Sequence, residues 1–210
     1  MKKVAIVGSG DLGQQIAWHA IHDQQFEVAG YFDDFKTKGA VINDLPVLGG
    51  LNDITAAFST AIFDELLIGI GYKHMNFRKE LYLQYKGKIP FGRLVHSSCI
   101  LDRSSTINEG VVIYPGCIID QNVVIEENVL MNVGCCIAHD TIIGAHTFLS
   151  PRVAIAGFVK VGEACNLGIN STIIDNISIP ANTQIGGGGV VITNIEKEGL
   201  YVGNPVRFIR

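Results

Sequence analysis

A histidine followed directly by an aspartate stands in the middle of the chain, at His139 and Asp140. Histidine is suited to take a proton from a nucleophile, because its pKa lies near the working pH of most enzymes. A nearby carboxylate favours the protonated ring and so raises its basicity. The pair predicts a general base with an acidic neighbour. Its alternative is a solvated polar corner.

A glycine-rich segment near the N-terminus has the spacing of a phosphate-binding loop. Gly8, Gly10 and Gly13 follow a short apolar run, and Asp33 stands about 20 residues further on, as in a dinucleotide fingerprint. Taken alone, this fingerprint suggests an NAD-dependent oxidoreductase, but no second mononucleotide half follows it. The same backbone N–H groups could instead hold the diphosphate of a nucleotide sugar.

The elements that must position the glycine loop lie in the first 92 residues. Strand-like and helix-like segments alternate there, which predicts a parallel α/β sheet. We expect strands at residues 4–7, 26–32, 46–49 and 65–70, and helices at residues 14–25, 51–58 and 75–85. This stretch is too short for a full dinucleotide-binding domain, so it predicts a Rossmann-like half domain.

The element that must position His139 is a repeat of six residues. An aliphatic residue or Met recurs in register at Val95, Leu101, Ile107, Ile113, Ile119, Ile125, Met131, Ile137, Ile143, Leu149, Ile155, Val161, Leu167, Ile173, Ile179, Ile185 and Val191. A helix repeats every 3.6 residues or so and a strand every 2 or so, so neither fits. The pattern predicts a parallel β-helix of short strands and tight corners. The change of pattern predicts two domains, residues 1–92 and residues 93–210.

Composition excludes several classes of protein. The chain has 210 residues, of which 48% are hydrophobic and 17% charged, and a formal net charge of −4. This charge gives no basic field for a nucleic acid, and no apolar run reaches the ~18 residues that cross a membrane. The N-terminal apolar stretch is read as the first strand of a cytoplasmic protein. Five cysteines without a CxxC pair argue against a disulfide framework and a zinc site.

The joint order of these parts resembles the hexapeptide-repeat acyltransferases. Within them it is similar to the sialic acid O-acetyltransferases and to the N-acetyltransferases of nucleotide-linked amino sugars. The segments that carry the resemblance are GSGDLG (8–13), YFDDF (31–35), LPVLGGLNDI (45–54), LLIGIG (66–71), NVGCCIAHDTIIG (132–144), LGINS (167–171), IGGGGVV (185–191) and VGNPVR (202–207). The resemblance implies a left-handed β-helix whose triangular coils contain three hexads each. Cys99, Cys117 and Cys135 would then stack on one face as a core ladder.

The resemblance also implies roles for individual residues. His139 matches the catalytic base and Asp140 its acidic neighbour. The expected contacts with the nucleotide-linked acceptor are Ser9, Gly10, Asp11, Asp33, Asp34 and Asn132. The expected contacts with acetyl-CoA are Phe148, Ile169 and Gly187, although several relatives have a coenzyme-contacting histidine where this chain has Phe148. For His146, which stands one hexad after Asp140, the repeat itself and not the resemblance predicts a polar corner.

Three functions follow from this reading. The first is acetyl-CoA-dependent N-acetylation of a nucleotide-linked 4-amino-4,6-dideoxy sugar, by direct transfer and without a metal. The second is O-acetylation of sialic acid or a related sugar, and the third is a non-catalytic nucleotide-binding scaffold. The resemblance implies a homotrimer with active sites between subunits, in which His139 of one subunit faces Ile169 and Gly187 of its neighbour.

Overall fold

The computed structural model describes residues 1–210. The chain divides into two compact units, Met1–Leu94 and Val95–Arg210.

The first unit is a five-stranded sheet with three helices. Its strands are β1 (Lys3–Val7), β2 (Glu27–Phe32), β3 (Val41–Ile42), β4 (Leu45–Gly49) and β5 (Glu65–Ile68). Its helices are α1 (Asp11–His22), α2 (Ile54–Ser59) and α3 (Met75–Tyr85), and short 3₁₀ turns occupy Leu51–Asp53 and Tyr72–His74. The sheet order is β3-β4-β2-β1-β5, and only the β3–β4 pair is antiparallel.

Several bounds of this unit differ from the sequence expectation: helix α1 ends at His22 and not at residue 25, and strand β5 ends at Ile68 and not at residue 70. Two further differences have a clear local cause. Helix α1 begins at Asp11, because Gly10 takes an extended conformation and serves as its N-cap. Strand β3 was not expected, since two residues are too few to show a period. It forms because Asn43 and Asp44 both adopt positive φ, at 46° and 64°, which suits a two-residue hairpin turn.

The parallel pairing places the functional loops at one edge of the sheet. Strands β2, β1 and β5 are neighbours, so the residues after their carboxyl ends lie together. The N–H of Gly8 donates to Phe32 O at 2.8 Å, and the N–H of Gly69 donates to Val7 O at 2.8 Å. A Cβ on Gly13 would lie 2.0 Å from Gly8 O, so only glycine lets α1 start this close to the loop.

The second unit is a parallel β-helix. Its strands β6 to β22 contain two residues each: Leu94–Val95, Ile100–Leu101, Thr106–Ile107, Val112–Ile113, Ile118–Ile119, Val124–Ile125, Leu130–Met131, Cys136–Ile137, Ile142–Ile143, Phe148–Leu149, Ala154–Ile155, Lys160–Val161, Asn166–Leu167, Thr172–Ile173, Ser178–Ile179, Gln184–Ile185 and Val190–Val191. Strands β23 (Leu200–Val202) and β24 (Arg207–Phe208) complete it. The second residue of each strand from β6 to β22 is the predicted sixth-position residue.

These strands form three faces. The first face contains β7, β10, β13, β16, β19 and β22, the second contains β8, β11, β14, β17 and β20, and the third contains β6, β9, β12, β15, β18, β21, β23 and β24. Each strand pairs with the strand three hexads later, as Ile118 does with Cys136. The chain therefore turns one corner between faces after every strand.

The core of the β-helix is filled from two positions in each hexad. The sixth-position residues point inward, and from Ile107 to Val191 they are buried. In three successive coils the second core position is a cysteine, and each of the three thiols has a hydrogen-bond acceptor. The thiols of Cys99, Cys117 and Cys135 donate to the carbonyl oxygens of Tyr114, Asn132 and Ser150, at 3.2 to 3.3 Å. The cysteine ladder is thus a structural feature, in agreement with the spacing.

Candidate functional site

The corner that follows strand β13 on the first face carries His139 and Asp140. The two side chains meet, with 3.0 Å between His139 Nδ1 and Asp140 Oδ2. Asp140 has a positive φ of 57°. His139 is 46% exposed and Asp140 37% exposed, so both are open to a ligand. Because a carboxylate only accepts hydrogen bonds, Nδ1 carries the proton and the lone pair of Nε2 is free to accept one.

Asn122 holds the carboxylate from the coil before. Its Nδ2 group donates to Asp140 Oδ1 at 3.1 Å, while Oδ2 accepts from His139. The hydrogen bond from His139 is the larger influence and that from Asn122 the next, and together they lower the pKa of Asp140. The carboxylate is therefore ionised at neutral pH and oriented by two donors, which keeps the imidazole in one tautomer.

The next coil leaves room for the imidazole. Gly157 stands one coil after His139, and a Cβ built on it would lie 2.7 Å from His139 Cε1 and 2.8 Å from Nε2. Any larger residue at 157 would displace the ring. Phe158 contacts the ring from the side, with centroids 5.1 Å apart and planes at 86°.

The other predicted residues of the β-helix lie at a different corner. Asn132, Ile169 and Gly187 stand where the chain turns from the third face to the first. The Asn132 side chain accepts a hydrogen bond from the N–H of Val133 at 2.8 Å. Ile169 is 51% exposed, and a Cβ on Gly187 would lie 3.0 Å from Ile169 Cγ2, so these two are adjacent. Within one chain, the first face separates this corner from His139.

The first face itself is apolar and contains a cleft. A cavity of about 360 Å³ lies against strands β13, β16 and β19 and is lined by Cys136, Ala154, Ile155, Ala156, Thr172, Ile173, Ile174 and Asp175. Phe148 does not line it. This residue lies in β15 on the third face and is only 4% exposed, so its ring offers little surface to a coenzyme.

The first unit has a cavity at the expected edge of its sheet. It measures about 430 Å³ and is lined by Gly8, Gly10, Asp11, Leu12, Asp33, Gly69, Ile70, Gly71, Tyr72, Lys73 and His74. The first residues of α1 lie at its wall, where unsatisfied backbone N–H groups and the helix dipole attract an anion. Gly10, Asp11 and Asp33 therefore lie together at this cavity, and their role as acceptor contacts stays a prediction.

Ser9 and Asp33 form the internal support of this cavity. The N–H and the hydroxyl of Ser9 donate to Asp33 Oδ2 at 2.9 Å and 2.6 Å, and the N–H of Phe35 donates to Oδ1 at 2.9 Å. Desolvation raises the pKa of Asp33, but the hydrogen bonds from Ser9 and Phe35 outweigh it and lower the pKa overall. Ser9 is buried and does not line the cavity, so it affects the cavity only by holding the loop backbone in place.

Asp34 does not line the cavity. Its Oδ1 accepts the N–H of Leu51 at 2.8 Å, at the start of the 3₁₀ turn that follows β4. Conversely, Tyr72 and Lys73 line the cavity although the sequence analysis did not single them out. The sequence could have identified them by their position directly after the buried strand β5 and Gly71. The carboxyl ends of neighbouring parallel strands share one edge of a sheet, so residues that follow them lie close together.

Comparisons with known proteins agree with this fold. Residues 3–85 match the family described as the PglD N-terminal domain. A histidine-to-asparagine variant of perosamine N-acetyltransferase from Caulobacter crescentus, solved with CoA and GDP-perosamine, matches with a TM-score of 0.93 and 25% identity. The match covers 100% of this chain and 98% of that chain. It supports a sugar acetyltransferase and confirms the predicted family resemblance.

Two further solved structures match over the full length of both chains. The acetyltransferase domain of PglB from Neisseria gonorrhoeae FA1090 has a TM-score of 0.91 and 22% identity. WeeI from Acinetobacter baumannii AYE has a TM-score of 0.80 and 18% identity. They share the fold, a small α/β region followed by a β-helix, and its left-handedness is what the family resemblance implied.

None of the three helices is long and apolar enough to span a bilayer. The cytoplasmic location stays a prediction.

Proposed function

We propose that this chain, an acyl-CoA-dependent sugar acetyltransferase by its fold and its likeness to solved enzymes, N-acetylates a nucleotide-linked 4-amino-4,6-dideoxy sugar. The observation that carries the proposal is the oriented His139, with its Nδ1 paired to Asp140 and its Nε2 unpaired. Such a group suits the removal of a proton from an attacking nitrogen. The neighbour solved with GDP-perosamine supports a nucleotide-linked amino sugar as the acceptor class.

His139 is the general base in the proposed reaction. The acceptor binds as the neutral amine, whose nitrogen attacks the thioester carbonyl of acetyl-CoA. Nε2 of His139 takes the proton as the new C–N bond forms, and Asp140 stabilises the resulting imidazolium. The tetrahedral oxyanion accepts a hydrogen bond from a backbone N–H. Its collapse breaks the C–S bond, and the leaving sulfur takes the proton from the His139 imidazolium, so that CoA departs as the thiol and the base is regenerated. No covalent enzyme intermediate is needed.

The nucleotide is assigned to the cavity of the first unit. The N–H groups at the start of α1 would donate hydrogen bonds to the diphosphate, with Lys73 and Gly10 at the wall. Asp33 accepts two hydrogen bonds from Ser9 and would thereby hold the loop. Its carboxylate would also accept a hydrogen bond from a sugar hydroxyl. Asp34 would not contact the nucleotide and would support the site indirectly, by accepting the Leu51 N–H and so holding the turn after β4.

We assign a homotrimer with shared active sites to the same proposal. In one chain, His139 and the adjacent pair Ile169 and Gly187 stand at opposite edges of the first face. A neighbouring copy that packs along this face would supply the missing edge. The exposed apolar side chains of Ile100 and Ile118 on the same face favour such packing.

A thiol-release assay tests the function. Acetyl-CoA is offered with UDP-, dTDP- and GDP-linked 4-amino-4,6-dideoxy sugars and with free sialic acid, to the wild type, His139→Ala and the exposed second-face control Lys160→Ala. We expect turnover of an amino sugar, lost about 10²- to 10⁴-fold in His139→Ala and kept in the control. Turnover of hydroxyl acceptors alone would favour the O-acetyltransferase. Full activity of His139→Ala would overturn the proposed base, and silence across the panel would leave the scaffold reading.

A further inference from the structure

Phe158 occupies a backbone position that does not suit a bulky side chain. It stands at the corner after strand β16, one full coil beyond Asp140, with a positive φ of 58°. Asparagine is the most frequent side-chain-bearing residue at corners of this kind, at Asn122, Asn128, Asn170, Asn176 and Asn182, although Asp140, His146, Arg152 and Ala164 also have positive φ there. Asparagine tolerates the left-handed region, whereas an aromatic residue there is uncommon and strained. A strained residue that persists beside a candidate base motivates a search for its role.

The ring of Phe158 is presented to solvent beside the base. It is 54% exposed, and it meets the His139 ring edge to face at 5.1 Å between centroids. Gly157 lies under the same imidazole and adds no side chain. The imidazole of His139 therefore packs on Gly157 with no side chain between them, and it has the apolar ring of Phe158 at its side.

The chemistry of the acceptor matches an apolar wall at this point. In a 4-amino-4,6-dideoxy sugar, the nitrogen is attached to C4 and the methyl group to the adjacent ring carbon, C5. An acceptor whose nitrogen lies against His139 Nε2 therefore brings its methyl group to the immediate surroundings of the base. A 6-hydroxyl at this point would lose water contacts against a phenyl ring without gaining a partner.

We propose that Phe158 is a specificity-determining residue whose exposed ring packs against the methyl-bearing face of the acceptor and selects 6-deoxy sugars. This inference rests on the proposed function, and it assigns a substrate feature to a residue outside the base and its carboxylate. A change from hydroxymethyl to methyl in an apolar contact is worth about 10- to 100-fold in kcat/KM.

The test compares two acceptors that differ only at C6. One is the nucleotide-linked 4-amino-4,6-dideoxy sugar, and the other is the matched 4-amino-4-deoxy sugar with its 6-hydroxyl. Wild type, Phe158→Asn and Phe158→Leu are compared by kcat/KM. We expect the wild type to prefer the deoxy sugar by about 10- to 100-fold. Phe158→Asn should bring the ratio close to one, and Phe158→Leu should retain part of it.

Phe158→Asn also controls for folding, because asparagine suits the left-handed backbone better than phenylalanine does. Its melting temperature should equal or exceed that of the wild type. A merely structural role for Phe158, acting through His139, would lower kcat for both acceptors equally and leave the ratio unchanged, which would overturn the inference. A change confined to the KM for acetyl-CoA would also overturn it, because the ring would then contact the coenzyme.

Failure of the proposed function has a different signature. It appears as wild-type turnover of hydroxyl acceptors only, whatever residue stands at 158. The inference would then fall together with the proposed function, whereas an unchanged C6 ratio on amino sugars that are turned over would overturn the inference alone.

Discussion

Asp140 reaches back to the imidazole of the residue before it, with 3.0 Å between its Oδ2 and His139 Nδ1. Adjacent side chains on an extended strand point to opposite faces and would not meet. The positive φ of Asp140 turns the chain at this corner and accompanies the contact. The orientation of the candidate base therefore depends on a single left-handed residue and on the amide of Asn122 that holds its carboxylate.

The first prediction concerns this carboxylate. Asp140→Asn keeps the size of the side chain but removes its charge, so the imidazole loses a fixed tautomer and the stabilisation of its protonated form. We expect kcat to fall by about tenfold or more, yet by less than in His139→Ala. Steady-state kinetics with one acceptor checks this. Equal rates for Asp140→Asn and wild type would remove Asp140 from the mechanism.

A second prediction concerns Asn122, whose hydrogen bond contributes to the lowered pKa of Asp140. Asn122→Asp replaces a donor by a like charge, so the pKa of Asp140 should rise. The rise is measured by a carboxyl-detected NMR titration of wild type and variant. A pKa that stays as low in the variant would contradict the assigned hydrogen bond. Aspartate keeps the ability to adopt positive φ at this corner, which protects the fold.

A third prediction concerns the space under the base. Gly157→Ala places a Cβ within 2.7 Å of the His139 ring, so the ring must move. The backbone of Gly157 is not in the left-handed region, so alanine is compatible with the fold. Displacement of a catalytic group by about 1 Å can cost 10²-fold in rate. We expect a large loss of kcat with an unchanged melting temperature, and a fully active Gly157→Ala enzyme would show that the ring is free to relocate.

A fourth prediction concerns stability and pH. Asp33 has a folded-state pKa below its ordinary value of 3.8. A lowered pKa contributes stability above the unfolded value, and the contribution is lost as the pH falls through the folded value. Asp33→Asn should therefore cost about 1 kcal/mol at pH 7, a small value because the group is partly solvated. The difference should shrink below about pH 4.

Thermal unfolding at a series of pH values measures this difference. Asp44→Asn serves as the control, because Asp44 is an exposed hairpin residue at positive φ where asparagine is equally suitable. A cost for Asp33→Asn that is the same at every pH would mean that the carboxylate charge is not its source.

A fifth prediction tests the shared active site. His139→Ala removes the base, and Ile169→Glu places a charge beside Gly187 at the expected coenzyme contact. Each homo-oligomer should be nearly inactive. Co-assembly of the two should restore activity at about a quarter of the sites, those that combine an intact corner from each subunit. Absence of recovery, with a mixed assembly verified by differential tags, would place both corners of one site in the same chain.

The sequence determined the architecture of both units. The period of six residues set which side chain of each strand points inward, because successive side chains of a strand point to opposite faces and only one of the two enters the core. The same period located the corners and the cysteine ladder. In the first unit, the glycine spacing predicted the loop after β1, since Gly13 is the residue that allows the close approach of helix and loop.

The tertiary structure alone decided where the side chains at the corners point. His146, expected at a polar corner, is 3% exposed, with its Nδ1 3.0 Å from Asn128 Nδ2 in the preceding coil. Asp34 turns to Leu51, although its neighbour Asp33 lines the cavity. The position of Phe158 beside His139 depends on the stacking of one coil on the next and on the sign of one φ. Such directions depend on contacts between coils, and a local pattern of apolar and polar residues carries no information about them.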